Sequence, residues 1–208
     1  MKKKTKEQLL QTLSKLYPKP ASELNFKNNF QLLVSVVLSA QCTDKKVNDV
    51  TPHLFNQYPN FKALASAKLT DIEKIIRPIN YYKTKSKNLI NLSKMVEAEF
   101  SGKIPKQFEE ILKLPGVGRK TANVVLGELG VIHTLPVDTH VFRVSKRLGL
   151  ASGKNTDQVE EELKAQFDSS LWRNLHHWLI LHGRRVCKAQ NPVCSDCDIR
   201  EICPSREE

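Results

Sequence analysis

Apolar side chains recur at helical spacing along almost the whole chain, and the breaks between runs fall at proline and glycine. Residues 5–17, TKEQLLQTLSKLY, place Leu9, Leu10, Leu13 and Leu16 on one face, and Pro18 and Pro20 end the run. Residues 27–41, KNNFQLLVSVVLSAQ, are nearly continuous in apolar side chains, which predicts a helix buried on most sides. Val34, Val36 and Val37 are β-branched and would suit a buried strand, but the length favours a helix. A polar step at Gln41, Cys42, Thr43 and Asp44 leads into another helical stretch through Phe55. Thr70 and Glu73 form a capping-box pattern for a helix to about Arg77, stopped by Pro78. The short connection 78–82 opens a long basic helix over 84–100, closed by Gly102, and an amphipathic helix over 104–114 follows with Ile104, Phe108, Ile111 and Leu112 as its apolar set.

The next segment, LPGVGRKTANVV from Leu114 to Val125, hands a tight glycine turn directly to a helix start. Gly116 and Gly118 let the backbone fold sharply and approach another surface closely. Outward-pointing amides and the positive end of the helix dipole suit such a segment to an anion such as a phosphate, with Lys120 in reach. A lone glycine turn is more often a plain helix corner. After a connector at 130–136, Asp138 is placed to cap a helix ending at Gly149, and Asn155 with Gln158 makes a second capping-box start. The last helix, about 171–182, carries Leu171, Leu175, Trp178 and Leu179 on one face and ends at Gly183. No period-2 alternation, repeat or long linker interrupts this pattern, so the fold class is all-α.

Composition adds a partner. The 208 residues include 33 Lys and Arg against 22 Asp and Glu, a net charge of +11, which favours a polyanion. The basic N-terminus lacks the apolar region of a secretion signal, and the most apolar stretch, 30–40, is about half of the ~20 residues needed to span a bilayer. A cytoplasmic chain without membrane attachment is expected.

Cysteine placement adds a metal. Cys187, Cys194, Cys197 and Cys203 follow the spacing Cys-x6-Cys-x2-Cys-x5-Cys, tight enough to wrap one centre, while Cys42 stands alone as a free thiol. Disulfides suit the compartment poorly. Structural zinc and an iron–sulfur cluster both accept four thiolates, and ligand type alone does not choose between them.

Together, LPGVGRKTANVVL (114–126), VDTHVFR (137–143), LLVSVVLSAQCTD (32–44), HHWLILHGR (176–184) and the four-cysteine spacing resemble endonuclease III, the helix-hairpin-helix family of DNA glycosylases and AP lyases. The resemblance covers nearly the whole chain. It implies two helical lobes, one over residues 23–133 with the helix-hairpin-helix motif and one built from 1–22 plus 134–208, with DNA lying across the groove between them. It makes Cys187, Cys194, Cys197 and Cys203 the ligands of a 4Fe-4S cluster. Lys120 corresponds to the family's nucleophile and Asp138 to its carboxylate. Contacts to DNA fall on Gln41, Ile79, Gly116, Val117, Gly118, Arg119, Thr121, His140 and Arg184. Gln41 and Ile79 are the side chains expected to fill the hole left by an extruded base.

The implied activity is that of a bifunctional glycosylase acting as a monomer on damaged double-stranded DNA. It removes oxidised pyrimidines through a lysine Schiff base and cuts 3′ to the abasic site by β-elimination. A free lysine, with a pKa of ~10.4, is an ammonium at neutral pH; partial burial and a helix N-terminus would disfavour that charge, DNA phosphates and Asp138 would oppose the shift, and a lowered Lys120 pKa is a hypothesis. Lys120 and the end of the chain just after Cys203 argue against the adenine and mismatch-thymine branches, which lack the lysine. The alternative from another class is a scaffold that grips phosphate without chemistry. Two departures stand out: Asn80 occupies a position where the family usually has glycine, and the loop 188–193 carries one basic residue, Lys188.

Overall fold

The computed structural model describes residues 3–206. Among them are eleven α-helices, two short 3-10 turns and no strand. The helices are α1 (Lys3–Leu16), α2 (Asn29–Ser39), α3 (Asp44–Gln57), α4 (Phe61–Ala65), α5 (Leu69–Ile75), α6 (Tyr82–Phe100), α7 (Phe108–Ile111), α8 (Arg119–Glu128), α9 (Thr139–Arg147), α10 (Thr156–Lys164) and α11 (Trp172–Arg185). The chain divides into two compact units: an internal one over Glu23–Ile132, and a terminal one made of the residues up to Ser22 together with those from His133 onward.

The internal unit is built on α2. Leu32 to Leu38 are all buried, Ser35 included, so the run without a polar face is the centre of the core and its β-branched residues sit in a helix. Helices α3, α6 and α8 pack on it, and α4 and α5 pack on α6. Asn28 caps α2 by accepting from the Gln31 amide, and Phe30 meets Phe55 and Phe61 edge to face. Three expectations change here. Helix α5 starts after Lys68, which makes no side-chain cap, so Thr70 and Glu73 are not a capping box. Only 108–111 is helical within the segment 104–114, because Pro105 biases Ile104 away from helical geometry, and Leu112 is exposed rather than part of the apolar face. Helix α4, started by Asn60, gave too short a pattern to be read.

The terminal unit joins the two ends of the chain. Leu9 and Leu13 of α1 are completely buried beside Val141, Val144, Leu175 and Leu179. The Trp178 indole N–H donates to the Tyr17 carbonyl at 3.0 Å, fixing the end of α1 to α11. Helix α11 runs through Gly183 to Arg185, so that glycine is interior and does not end the helix. A Cβ there would stand 3.0 Å from Val144 Cγ2 and 3.2 Å from His140 Cβ, so its absence is what lets α9 lie close against α11.

If α1 belongs to this core, Leu13→Ala should cost about 2–5 kcal/mol. The measurement is hydrogen exchange, with protection expected to fall in α9 and α11 and to hold in α2 and α6.

Candidate nucleic-acid site and cysteine pocket

In the internal unit, i to i−3 backbone bonds from the amides of Lys113, Leu114 and Val117 continue the chain from α7 to the turn, the last to the Leu114 carbonyl at 3.0 Å. Val117 is buried and its N–H is already used, so it does not offer the outward amide expected of it. The two glycines differ. Gly116 has φ +82°, and a Cβ there would meet Asn88 Nδ2 at 2.9 Å and Cβ at 3.0 Å. Gly118 is extended, at φ −91° and ψ 175°, with nothing within 4 Å of its missing Cβ. Gly116 therefore shapes the turn, while Gly118 leaves space outside it.

Gly118 is also the N-cap of α8, and no side chain caps that helix. The first-turn amides of Arg119, Lys120 and Thr121 consequently face outward at the positive end of the helix dipole. Lys120 is exposed, not partly buried as expected. Arg119 is exposed too, its guanidinium 5.8 Å from the Phe108 ring centre.

A second cluster in the same unit surrounds the end of α2. Gln41 is exposed and left-handed, with φ 54°. Ile79, expected to enter DNA, is 1% exposed and part of the core. Two residues later, Tyr81 is 67% exposed and left-handed, with φ 59°. The loop thus anchors itself with Ile79 and presents Tyr81. The sequence signal is weak: an aliphatic residue beside a proline in a short polar loop is a core candidate. Asn80 is not among the left-handed residues; its side-chain N–H donates to the Gln41 carbonyl at 2.7 Å. Lys85, buried in the first turn of α6, donates to the carbonyls of Leu38 at 2.8 Å and Ala40 at 2.6 Å. Burial pulls its pKa down, and proximity to Cys42 opposes that.

In the terminal unit, Asp138 caps α9: its Oδ1 accepts from the amides of His140 and Val141, both at 2.8 Å. His140 is half-buried, and burial pulls its pKa down, helped by Arg143 and Arg184 and opposed by Asp138. It accepts at Nδ1 from Arg143 at 3.2 Å, which is the geometry of a neutral ring. Arg143 also donates to the carbonyls of Gly183 and Cys187, joining α9 to the end of α11. Arg184 is half-buried.

The four cysteines Cys187, Cys194, Cys197 and Cys203 line one pocket, together with apolar Leu148, Val186, Val193 and Ile199. Arg147 holds its rim: it donates to the Lys188 carbonyl at 2.6 Å and the Ala189 carbonyl at 3.1 Å, and stands 3.5 Å from Cys187 Sγ. Burial raises the thiol pKa of Cys197 and Cys203, each also pushed up by neighbouring cysteines. His182 is buried with its pKa lowered to about 4, so it is neutral, with Nε2 3.7 Å from Cys197 Sγ and Nδ1 3.4 Å from the Tyr17 hydroxyl. Among the described residues no three His, Cys, Asp or Glu side chains form a ready site for a single metal ion.

A family model described as HhH-GPD superfamily base excision DNA repair protein matches residues 34–168. Endonuclease III of Rickettsia prowazekii is 47% identical over 195 residues, covering 94% of this chain and 92% of that protein. Endonuclease III of Escherichia coli K12 is 39% identical over 207 residues, covering 100% and 98%. A solved structure of a trapped endonuclease III–DNA covalent intermediate, an estranged-adenine complex, superposes with a TM-score of 0.91 at 39% identity, over 99% of this chain and 97% of that one. A thermostable thymine-DNA glycosylase shares the fold, with a TM-score of 0.84 at 20% identity over 98% and 97%.

The two glycines of the turn should separate by experiment. Gly116→Ala is expected to lose about 1–3 kcal/mol in urea denaturation, from its left-handed backbone and the crowding at Asn88. Gly118→Ala should stay within about 0.5 kcal/mol, as an unstrained exposed site does.

Proposed function

Because the chain belongs to the HhH-GPD superfamily of base excision DNA repair proteins and, within it, to the endonuclease III family, we propose that Lys120 and Asp138 run a glycosylase and AP-lyase cycle on oxidised pyrimidines in double-stranded DNA. The observation that carries this reading is the uncapped start of α8, where outward amides and the exposed Lys120 follow directly on the glycine turn. The amides and dipole of the helix start attract a backbone phosphate. Arg119 and Thr121 flank the nucleophile on the same turn, and Gly118 leaves the strand room to approach.

The chemistry needs a neutral amine. Its lone pair forms the N–C1′ bond while the bond from C1′ to the base breaks, and the base leaves with a proton. Opening of the sugar ring gives the iminium, and loss of a C2′ proton to a base then expels the 3′ phosphate as the strand is cut. A carboxylate serves both halves, by moving protons and by offsetting positive charge on the sugar. Asp138 supplies it from a side chain whose direction is fixed by two backbone amides. It is therefore both helix cap and chemical group.

Extruding a base leaves a gap in the duplex. Gln41 offers an amide to the orphaned base, and Tyr81, in place of Ile79, offers a ring to stack in the opened step. His140 and Arg184 add polar and positive surface for the phosphates. The residues at the cysteine pocket fit a 4Fe-4S cluster: four thiols, an apolar lining and a guanidinium at the rim. Such a cluster would bind the loop 187–203 together as one rigid element. A cytoplasmic monomer fits these parts, and no described helix is long and apolar enough to cross a membrane.

Borohydride trapping on an abasic duplex tests the reading. The wild type should yield a covalent adduct and Lys120→Ala none; binding without any adduct from the wild type would leave only a scaffold. Asp138→Asn keeps an oxygen for the cap, so its stability should stay within about 0.5 kcal/mol while base removal slows by roughly 10²-fold or more. Tyr81→Ala should slow base removal in duplex about tenfold and leave trapping on a single-stranded abasic oligonucleotide within about twofold. Ile79→Ala should instead cost about 2–5 kcal/mol of stability. Iron and sulfide in equal amounts, without zinc, should accompany the purified protein.

A further inference from the structure

Gln41 and Tyr81 are both held in the left-handed backbone region without being glycine, a conformation that persists only where the surroundings over-determine it. The start of α6 and the loop before it do this. Lys85 takes the carbonyls of Leu38 and Ala40, Asn80 takes the carbonyl of Gln41, and the buried Ile79 fixes the loop that carries Asn80 and Tyr81. Lys85 holds the end of α2 from within the helix. The Asn80 amide is the bond that joins the two exposed loops themselves, at 2.7 Å. A glycine at this position could make no such bond.

We propose that Asn80 is a positioning residue that couples Gln41 to Tyr81, so that both side chains enter the duplex as one rigid element and Gln41 meets the orphaned base in a fixed orientation. This rests on the reading in which those two side chains enter DNA. An amide held in one orientation presents a fixed donor and acceptor pattern, so it tells one orphaned base from another. Released from Asn80, the Gln41 backbone samples other directions and that distinction weakens. The side chain of Asn80 is exposed and tied by this one bond, so its removal leaves both loops anchored by Ile79 and Lys85.

The test uses the full chain with its cluster, in single-turnover base removal from duplexes carrying one oxidised pyrimidine opposite each of the four bases. The variants are Asn80→Ala, Asn80→Gly, Gln41→Ala and the Asn80→Ala/Gln41→Ala double variant. The wild type should show unequal rates across the four opposite bases. Both Asn80 variants should flatten that spread, slowing the preferred pairing by roughly five- to tenfold, as expected for losing one hydrogen bond. In the Gln41→Ala background, Asn80→Ala should have no further effect, because the group it orients is gone. For the two Asn80 single variants, trapping on a single-stranded abasic oligonucleotide should stay within about twofold, and the melting temperature should fall by no more than about 4 °C.

Equal slowing opposite all four bases, or an undiminished effect of Asn80→Ala in the Gln41→Ala background, would mark a merely structural bond and overturn the proposal. So would equal wild-type rates opposite all four bases. If Gln41→Ala and Tyr81→Ala both leave duplex rates unaltered, the insertion reading itself fails. If they slow the reaction and neither Asn80 variant does, the coupling alone is refuted.

Discussion

An α-helix leaves amides bare at its start and carbonyls bare at its end, and in this chain the partner found by each such end decides where chemistry can occur. The carbonyls at the end of α2 are taken by Lys85 and Asn80. The amides at the start of α9 are taken by Asp138. At the start of α8 no side chain intervenes, and the helix begins from a glycine in open space. The first two ends are closed by groups that thereby acquire fixed directions. The third is left open, and an open helix start is a place for an anion. At the first two ends the demands of the backbone fix side chains or loops beside the proposed site, and at the third they leave it open.

Much of this was legible in the sequence, for identifiable reasons. The buried α2 and the faces of α1, α9 and α11 follow from the spacing of leucine and valine, which tertiary packing reinforces. Asp138 and Asn155 were readable as caps because a short polar side chain before a helical pattern has few better uses. Thr70 and Glu73 misled because the pattern is local, and the chain entered α5 two residues earlier. Gly183 misled in the opposite sense: a glycine near a helix end suggests a stop, but here it serves the approach of α9, a demand made by another element. The burial of Ile79, where an exposed side chain is expected, has the same origin. Which of several residues in a five-residue loop faces outward depends on the loop's anchorage, and a resemblance of motifs carries no such register.

The cysteine pocket shows how the terminal unit makes its parts serve one another. Arg143 and Arg147 leave the same face of α9, four residues apart, and both reach carbonyls of the segment around Cys187. The weakly basic loop 188–193 is thus shaped by arginines from outside it. His182 sits between the Tyr17 hydroxyl and Cys197, so the end of α1 also reaches toward the pocket through a neutral ring. The same α9 that mounts Asp138 at its start therefore braces the cysteine segment near its end. A centre that rigidifies this segment would steady the carboxylate's helix from the other side.

The glycine turn began as a single phosphate-friendly feature, and its two glycines prove to do different work. Gly116 bends the chain, and a side chain there would crowd Asn88. Gly118 bends nothing. Its value lies in the space outside the helix start, immediately before Arg119, Lys120 and Thr121. The Val117 amide is spent inside the turn, whereas the first three amides of α8 are part of the helix that carries Lys120 and would hold an anion in the proposed reading. A phosphate gripped there would be held by the same rigid body as the attacking amine. Positioning of nucleophile against strand then depends on one helix start and not on the flexibility of a loop, which is the condition for a well-oriented attack.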